Sequence, residues 1–319
     1  EIDAIKNCKR KFGAKKAIKL IAGSNVYVNL EPCSIENNTP PCSNALIKYQ
    51  IKKLFCGTLD PNPKINGRGI KLLKKAGIET SVGLLKNECK ELNRVFFTNQ
   101  NKSRPYIILK SAQSLDGKIA LKNGESKWIS NPQSRKNSHH IRSTVKGILV
   151  GSNTAEQDNP SLTVRLTNNE LGLNKHDKIQ QPIKIILGNL KRSKKVSKIF
   201  AGNSKVIVGS MGSAKKSKNI EYLKYKKKNF LEEFLQDLLD RNISSILVEG
   251  GQKTLNAFLV NNLFDELVLY TAPMFLGKES KDGISVIAPG KIKASVKLKM
   301  MGVEKFKDDI KTTYYNKNI

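Results

Sequence analysis

Hydrophobic and polar residues alternate along the first hundred residues in short blocks that predict strands and helices in turn. Strand blocks have a two-residue period or a run of β-branched and aromatic residues, whereas helical blocks repeat their apolar residues every three or four positions. The predicted strands are 25–30, 53–58 and 79–83, and the predicted helices are 43–51, 69–76 and 84–97. The polar residues 98–103, just before Arg104-Pro105, have the composition of an interdomain linker. We therefore predict a first domain over residues 1–100.

A second series of strands and helices follows Pro105. Two of its strands, 106–112 and 147–151, are apolar enough to be buried. The predicted strands are 106–112, 147–151, 183–187, 206–208, 246–248 and 266–272, and the predicted helices are 132–144, 230–241 and 254–261. Residues 297–315 have the pattern of closing antiparallel strands. This alternation predicts a layered α/β domain over residues 105–319.

The composition fits a folded chain with a strongly basic surface. Of the 319 residues, 39% are hydrophobic, and 57 Lys and Arg stand against 27 Asp and Glu, a net charge of +30. A net charge this positive is typical of proteins that bind the phosphates of nucleic acid. However, only nine of the basic residues are Arg, and the Lys-rich runs 191–198 and 224–228 lack interleaved aromatic residues that stack on bases. We interpret the charge as a solvated surface that attracts phosphorylated small molecules, and predict no nucleic-acid partner.

The sequence contains no apolar run of about 18 residues that could form a transmembrane helix. It also does not open with a signal-peptide pattern. Its five cysteines are an odd number, which fits a reducing compartment better than a disulfide framework. We predict a cytoplasmic protein with no membrane partner. The oligomeric state stays open, a homo-oligomer included.

Two of the cysteines, Cys33 and Cys42, lie beside prolines in a polar loop between a predicted strand and a predicted helix. Two thiolates on one such loop can occupy two corners of a zinc tetrahedron. An ordinary loop is the alternative on spacing alone, because zinc deaminases usually have the C-x-x-C spacing whereas these cysteines are nine positions apart. The sequences Glu-Pro-Cys-Ser at 31–34 and Thr-Pro-Pro-Cys at 39–42, followed by Asp-Pro-Asn-Pro at 60–63, favour the zinc site.

This wider spacing, with two prolines before Cys42, resembles the deaminase half of the bifunctional riboflavin-biosynthesis deaminase/reductase family. The resemblance implies an incomplete cytidine-deaminase-like three-layer α/β/α domain in which Cys33 and Cys42 bind Zn²⁺. In that family a His-Ala-Glu motif supplies the third zinc ligand and the catalytic acid/base, and residues 1–8 resemble the sequence from its glutamate onward. The resemblance therefore implies that Glu1 is catalytic and that the zinc-binding histidine precedes this chain, which we expect to be truncated at its N-terminus.

The first domain also departs from the family pattern. Residues 35–38 replace a stretch that usually contains His, Gly and Arg. None of the histidines, His139, His140 and His176, lies in the first domain, and we interpret them as surface or pocket residues. We therefore expect this chain to bind zinc poorly and to deaminate weakly or not at all.

The second domain carries motifs in the order in which they occur in the reductase half of the same family. They lie at 105–110, 114–120, 124–130, 158–165 and 248–251. The resemblance implies a dihydrofolate-reductase-like α/β fold with NADPH as the hydride donor. A GxGxxG motif is absent from the sequence, so a Rossmann-type nucleotide site has no support.

The resemblance also implies which residues bind the cofactor. Glu249-Gly250-Gly251 precedes a predicted helix, where glycines allow close backbone approach and free N–H groups bind phosphate. Asn189 follows Gly188 where relatives often have an acidic residue and a serine, and Lys191 or Arg192 is the candidate for the 2′-phosphate. The implied cofactor-binding residues are Ala112, Trp128, Thr154, Asp158, Asn189, Gly251, Gln252, Lys253, Thr254, Leu255, Asn256 and Ala257.

Two arginines stand out among the residues that the resemblance implies for the substrate. A planar guanidinium suits a sugar phosphate better than the point charge of a lysine. For each, an ordinary surface arginine is the alternative. The implied substrate-binding residues are Ser126, Arg142, Leu162, Arg165 and Glu249.

Together these resemblances imply a bifunctional enzyme of riboflavin biosynthesis. It would deaminate 2,5-diamino-6-(5-phosphoribosylamino)pyrimidin-4-one and then reduce the ribosyl group with NADPH, giving 5-amino-6-(5-phosphoribitylamino)uracil. One alternative is a reductase whose first domain is a non-catalytic remnant. Another, from a different class, is a basic RNA-binding or RNA-editing protein with a deaminase fold.

Overall fold

The computed structural model describes residues 1–36, 40–190, 197–202, 204–212, 219–226, 229–286 and 290–317. Two compact units divide the chain, Glu1–Ser103 and Arg104–Ile319. In each unit, strands and helices follow one another along the chain, which confirms the predicted α/β class.

The first unit is built on a three-stranded parallel sheet in the order β1-β2-β3. A small core forms where apolar side chains of the sheet and helices meet, among them Leu46, Leu54 and Leu73. The strands are β1 Asn25–Leu30, β2 Lys53–Thr58 and β3 Glu79–Val82, and the helices are α1 Ile2–Phe12, α2 Ala14–Ile21, α3 Cys42–Lys48, α4 Arg68–Lys75, α5 Lys86–Leu92 and α6 Arg94–Lys102.

The polar segment 98–103, predicted as an interdomain linker, is helical over most of its length. Helix α6 continues through Lys102 and buries Thr98, and the division between the two units follows directly, after Ser103. The helix ends at Ser103, which has a left-handed backbone with φ of 50°. Pro105 disfavours helix at the residue before it, which sets this end point.

The second unit is built on a nine-stranded sheet in the order β13-β14-β11-β4-β10-β6-β7-β8-β9, and a short β5–β12 pair lies apart from it. Its strands are β4 Tyr106–Ser114, β5 Lys118–Ala120, β6 Gly147–Gly151, β7 Ile183–Leu187, β8 Val206–Ser210, β9 Ile220–Lys224, β10 Ser245–Val248, β11 Glu266–Ala272, β12 Lys281–Asp282, β13 Leu298–Phe306 and β14 Asp309–Asn316. Its helices are α7 Pro132–Thr144, α8 Ser152–Asp158, α9 Ser197–Phe200, α10 Phe230–Asp240 and α11 Gln252–Val260, with a 3₁₀ turn at Ile292–Ala294.

Strands β4, β6, β7, β8, β9, β10 and β11 pair in parallel, so their carboxyl ends lie along one edge of the sheet. Every residue of β6, β8 and β10 is buried, as expected for parallel strands covered on both faces. Helices α10 and α11 pack Phe234 and Phe258 into this core.

Helix α7 begins where its sequence places a strong start signal. Asn131 accepts hydrogen bonds from the Gln133 and Ser134 amides through its side chain, at 2.9 and 3.0 Å, and Pro132 occupies the first helical position. Asp309 of β14 accepts from the Asn131 amide at 2.8 Å and from the Ser134 hydroxyl at 2.6 Å. These contacts fix the start of the helix that carries the predicted site residue Arg142.

Within the described residues, none of the helices combines the length and the apolar composition that crossing a membrane would require.

Candidate active site

The carboxyl ends of the parallel strands carry the residues of the candidate site, as is usual for α/β sheets. A cavity of about 220 Å³ opens there beside β4 and α7. Of the predicted residues, Ala112, Ser126, Trp128, Arg142 and Arg165 line it, together with Lys110, Ile119, Lys127, Ile129, Ser130, Arg135, Ser138 and His139.

Arg142 of α7 forms an ion pair with Glu249, which follows β10. Nη2 lies 2.6 Å from Oε2, and Nε lies 3.2 Å from each carboxylate oxygen. The remaining Nη1 donates to the Thr163 carbonyl at 3.0 Å. Burial alone would raise the pKa of Glu249, but the positive charges of Arg142 and Lys110 outweigh burial and hold the pKa below its ordinary value. The side chain of Arg142 is therefore held by the protein on three of its nitrogens.

Lys110 of β4 brings a second positive charge to this carboxylate. Its ammonium lies 5.6 Å from the centre of the Tyr270 ring, on the neighbouring strand β11. Burial lowers the pKa of Lys110; the Glu249 carboxylate opposes this shift and the Arg142 charge adds to it. The site thus contains a lysine that gives up its proton more easily than a surface lysine does.

Arg165 packs against His139 of α7. The Arg165 Nε and Nη2 atoms lie 3.3 and 3.1 Å from Nε2 of the imidazole, and its amide nitrogen lies 3.2 Å from Nδ1. Burial lowers the pKa of His139, and the charges of Arg142 and Arg165 lower it further, to about 4. The histidine is buried and therefore neutral near pH 7.

Trp128 presents a largely exposed indole at the rim of the cavity, with 65% of the residue accessible. The Arg135 guanidinium carbon lies 4.3 Å from the ring centre, which is a cation–π contact. Arg135 also donates to the Ser130 carbonyl. These contacts fix an exposed aromatic face beside the cavity, where a planar ring of a ligand can stack.

Helix α11 begins at the end of β10 and is crowded against the neighbouring strand ends. A Cβ at Gly250 would lie 2.5 Å from Cβ of Thr254, and a Cβ at Gly151 would collide with the Thr254 hydroxyl. The Gly251 amide donates to the Thr154 hydroxyl at 3.2 Å. The first turn of α11 has no acidic residue and contains Lys253. The Thr254 amide donates to the Gly251 carbonyl at 3.0 Å, so the backbone donors of this turn that suit a phosphate are the Gln252 and Lys253 amides, beside the Lys253 side chain.

Several predicted cofactor residues direct their side chains elsewhere. Leu255 is buried in the core and Ala257 packs against it. The side-chain NH₂ of Asn256 donates to the Ser285 carbonyl at 2.7 Å, and its side-chain oxygen accepts from the Ser285 backbone N–H at 3.1 Å. In this segment only residues 251–254 therefore offer their backbone or side chains to a dinucleotide.

The other predicted residues lie near the cavity or on adjoining loops. Leu162 is buried, with 2% exposed, so only its backbone is available to a ligand. Asn189 accepts through its side chain from the Gly212 amide at 3.2 Å, which joins the loops after β7 and β8. Asp158 ends α8, where burial raises the pKa of its carboxyl group and the charges of Lys127 and Lys281 oppose that shift. The predicted 2′-phosphate contacts Lys191 and Arg192 lie outside the described residues.

Eight of the residues that line the cavity lie outside the predicted site set, among them Lys110 and His139. The sequence predicts Lys110 only as part of a buried strand, although a lysine at the end of an otherwise apolar run is a signal for a buried charge. The structure agrees with the interpretation of His139 as a surface or pocket histidine, because this residue lines the cavity. Its position three residues before Arg142, on one face of a helix, is the signal that could have placed it in the site.

In the first unit, the structure brings Glu1, Cys33 and Cys42 together. The Cys42 amide lies 3.2 Å from the Cys33 sulfur. Burial raises the pKa of Cys42, and the neighbouring Glu1 carboxylate and Cys33 thiol raise it further, to about 12. The predicted acid/base residue therefore lies beside both predicted metal ligands.

These residues do not amount to a zinc site by themselves. A catalytic zinc needs three protein ligands and a water. Among the described residues, no group of three or more His, Cys, Asp and Glu side chains is arranged to hold a metal ion. The third ligand that the predicted site requires is thus not supplied by this part of the chain.

Comparison with known proteins agrees with both units. The family model for the RibD C-terminal domain matches residues 105–312. The riboflavin biosynthesis protein RibD of Aquifex aeolicus is 38% identical over 296 residues, which cover 90% of this chain and 79% of that protein. RibD of Escherichia coli K12 is 35% identical over 267 residues, covering 81% of this chain and 73% of that protein.

Solved structures agree over nearly the whole chain. An Acinetobacter baumannii RibD structure has a TM-score of 0.83 and 30% identity, covering 96% of this chain and 84% of that one. A Thermotoga maritima diaminohydroxyphosphoribosylaminopyrimidine deaminase/5-amino-6-(5-phosphoribosylamino)uracil reductase has a TM-score of 0.80 and 32% identity, covering 95% of this chain and 83% of that one. The chain therefore belongs to the RibD family of riboflavin biosynthesis proteins.

Proposed function

We propose that the second unit reduces the ribosyl group of a phosphorylated ribosylaminouracil with NADPH, giving 5-amino-6-(5-phosphoribitylamino)uracil. The observation that carries this proposal is the cavity that Trp128, Arg142 and Arg165 line at the carboxyl edge of the sheet. A reductase activity of this kind is named for the similar Thermotoga maritima protein. The dihydrofolate-reductase-like fold that the sequence implies for this unit belongs to the same proposal.

The residues present fit an NADPH molecule. The first turn of α11, with the Gln252 and Lys253 amides and the Lys253 side chain, suits the pyrophosphate, and the exposed Trp128 face suits an aromatic ring. Gly251 and Thr154 lie at the same helix start and stay in the proposed cofactor set, as do Gln252 and Thr254. When bound, NADPH supplies the hydride for C1′ of the substrate.

The cavity residues bind and orient the substrate in this proposal. Arg165 binds the phosphate, because Arg142 is already occupied by Glu249 and Thr163. The Glu249–Arg142 pair and the Ser126 hydroxyl form the polar wall beside the sugar. Holding the sugar in a fixed place lowers the entropy cost of hydride transfer.

Replacing Arg165 tests this arrangement. We expect Arg165→Ala to raise KM for the phosphorylated substrate by about 10-fold or more while the KM for NADPH changes little, because a charge-assisted bond to phosphate is lost. Steady-state kinetics at varied concentrations of each substrate measure both values. Lys175→Ala removes one positive charge from an exposed position outside the cavity and is the matched control. Equal losses for substrate and NADPH would contradict the assignment.

Deamination by the first unit stays a prediction. Glu1, Cys33 and Cys42 are close together, which favours a deaminase-type site. The described residues, however, do not complete a zinc site. A cytoplasmic location also stays a prediction.

A further inference from the structure

We propose that His139 is a positioning residue that holds the Arg165 guanidinium in place for the substrate phosphate. Through this contact His139 sets the preference of the reductase for phosphorylated over unphosphorylated substrate. This role rests on the proposed function, since it needs Arg165 to meet a phosphate.

The geometry of the contact supports an acceptor role for His139. Nε and Nη2 of Arg165 both approach the single ring atom Nε2, at 3.3 and 3.1 Å. A neutral imidazole accepts at one nitrogen and donates at the other. The Arg165 backbone N–H approaches the other ring nitrogen, Nδ1, at 3.2 Å. The tautomer with its lone pair on Nε2 therefore accepts from the guanidinium, and Arg165 contacts the imidazole through both its side chain and its backbone.

This contact uses one edge of the guanidinium and leaves the other for an anion. A guanidinium has five N–H donors in a planar fork. With the Nε–Nη2 edge on His139, the outward hydrogens of Nη1 and Nη2 form the edge that can grip a phosphate at two oxygens. Arg165 is otherwise an exposed side chain, so without His139 it would lose this fixed orientation.

The second arginine cannot take over this task. Arg142 is held by Glu249 and by the Thr163 carbonyl on three nitrogens. The Thr163 backbone also forms a hydrogen bond with His139, so the same residue contacts both Arg142 and the histidine that holds Arg165. The third arginine of the cavity, Arg135, lies over the Trp128 ring and donates to the Ser130 carbonyl. Of the three arginines, Arg165 is therefore the one that we assign to the phosphate, with His139 orienting it.

The charges around His139 keep it suited to this role. Arg165 faces it from the loop after α8, Arg142 from its own helix and Glu249 from the end of β10. Burial and the two arginines lower its pKa, whereas Glu249 and the Thr163 backbone oppose them. A neutral ring accepts the guanidinium hydrogens, while a protonated ring would repel them.

Kinetics of His139 variants on two substrates test the proposal. The substrates are the phosphorylated ribosylaminouracil and its dephosphorylated form. For His139→Phe we expect KM for the phosphorylated form to rise by about 10-fold, with kcat within about twofold and the dephosphorylated form unaffected. His139→Gln retains an acceptor and should restore most of the preference. His140→Phe, on the next residue of α7, is the matched control.

A readout that needs no turnover separates this proposal from the proposed function. We expect inorganic phosphate to raise the melting temperature of the wild type, by an amount that grows with the logarithm of the phosphate concentration divided by Kd. We expect that shift to be lost in His139→Phe and largely kept in His139→Gln and His140→Phe. If His139→Phe does not fold, His139→Leu replaces it.

Two results would overturn the role of His139. One is a His139→Phe enzyme that keeps the full preference for phosphorylated substrate; the other is one that loses activity equally on both substrates. A wild type that reduces neither substrate contradicts the proposed function, and the phosphate melting shift then still decides whether His139 positions Arg165.

Discussion

His139 lies among charged groups, and its protonation state makes folding depend on pH. Its pKa falls from 6.5 to about 4 because burial and two arginine charges disfavour the imidazolium. Between these values the unfolded chain binds a proton that the folded chain does not bind. The free energy of unfolding therefore decreases as the pH falls from 6.5 toward 4, and this histidine adds no further slope above 6.5.

Replacement of His139 by Gln should remove that pH dependence. From the depressed pKa we expect His139 to contribute a loss on the order of 3 kcal/mol between pH 7 and pH 4, an upper bound for a part-solvated cluster. Urea denaturation of wild type and His139→Gln at a series of pH values gives the difference in slope. Identical slopes for the two proteins would show that the histidine is not held neutral.

Glu31, which follows β1, stabilises the start of helix α4. Its buried carboxylate accepts from four backbone amides, those of Asp60, Gly67, Gly69 and Ile70, at 3.2, 2.8, 2.9 and 3.3 Å. Helix α4 lacks a side-chain cap at its own N-cap residue. A carboxylate near a helix N-terminus satisfies these amides and the positive end of the helix dipole.

We expect Glu31→Ala to destabilise the first unit by about 3 kcal/mol, because buried amides lose a charged acceptor. Hydrogen exchange at the Gly69 and Ile70 amides should accelerate by about 100-fold while amides of the second unit are unaffected. Glu36→Ala, at an exposed glutamate of the same loop, is the control. Unchanged protection at Gly69 would mean that α4 does not depend on Glu31.

Elements with a strong local pattern were predictable, and those that depend on tertiary contacts were not. The predicted strands 183–187 and 266–272 have the bounds of β7 and β11, because they are apolar runs buried in a parallel sheet. Strand β9 Ile220–Lys224 was missed, since it forms the sheet edge and carries no fully buried residue. Helix α8 Ser152–Asp158 was missed because only Ala155 is buried.

The candidate site was predictable in its residue types and not in its pairings. Family motifs placed Arg142, Arg165 and Glu249 near the substrate, but nothing in their spacing shows that Arg142 pairs with Glu249 107 positions away. Likewise, the run 251–257 reads as one phosphate-binding segment. The fold turns Leu255 into the core and uses the Asn256 amide to hold Ser285.

At the scale of the whole molecule, the two units differ in how complete their candidate sites are. The second unit carries the cavity that Arg142 and Arg165 line, whereas the described residues of the first unit bring together two thiols and one carboxylate where a zinc enzyme needs a third ligand. We therefore expect this chain to reduce its substrate but to deaminate weakly or not at all.

We expect the purified chain to retain well under one zinc ion per molecule after dialysis against a chelator, because two thiols bind zinc less tightly than three ligands do. Reduction of the aminouracil substrate should persist while release of ammonia from the diaminopyrimidine stays at background. Metal analysis and separate assays of the two half-reactions measure this, with Cys33→Ser as the control. Near-stoichiometric zinc, or ammonia release that Cys33→Ser abolishes, would contradict the expectation.

The place of β4 in the large sheet bears on how the chain is made. It is the first strand of its unit, yet its two neighbours are β10 and β11, so Tyr106 pairs with Ser245 and Ile108 with Glu266. During synthesis from the N-terminus, both edges of this apolar strand stay without partners until those late segments leave the ribosome, on the order of ten seconds later. Such a strand is a template for wrong pairing. We therefore expect the soluble yield of the second unit, compared in cells with normal and raised chaperone levels, to respond to chaperone supply more than its final stability suggests.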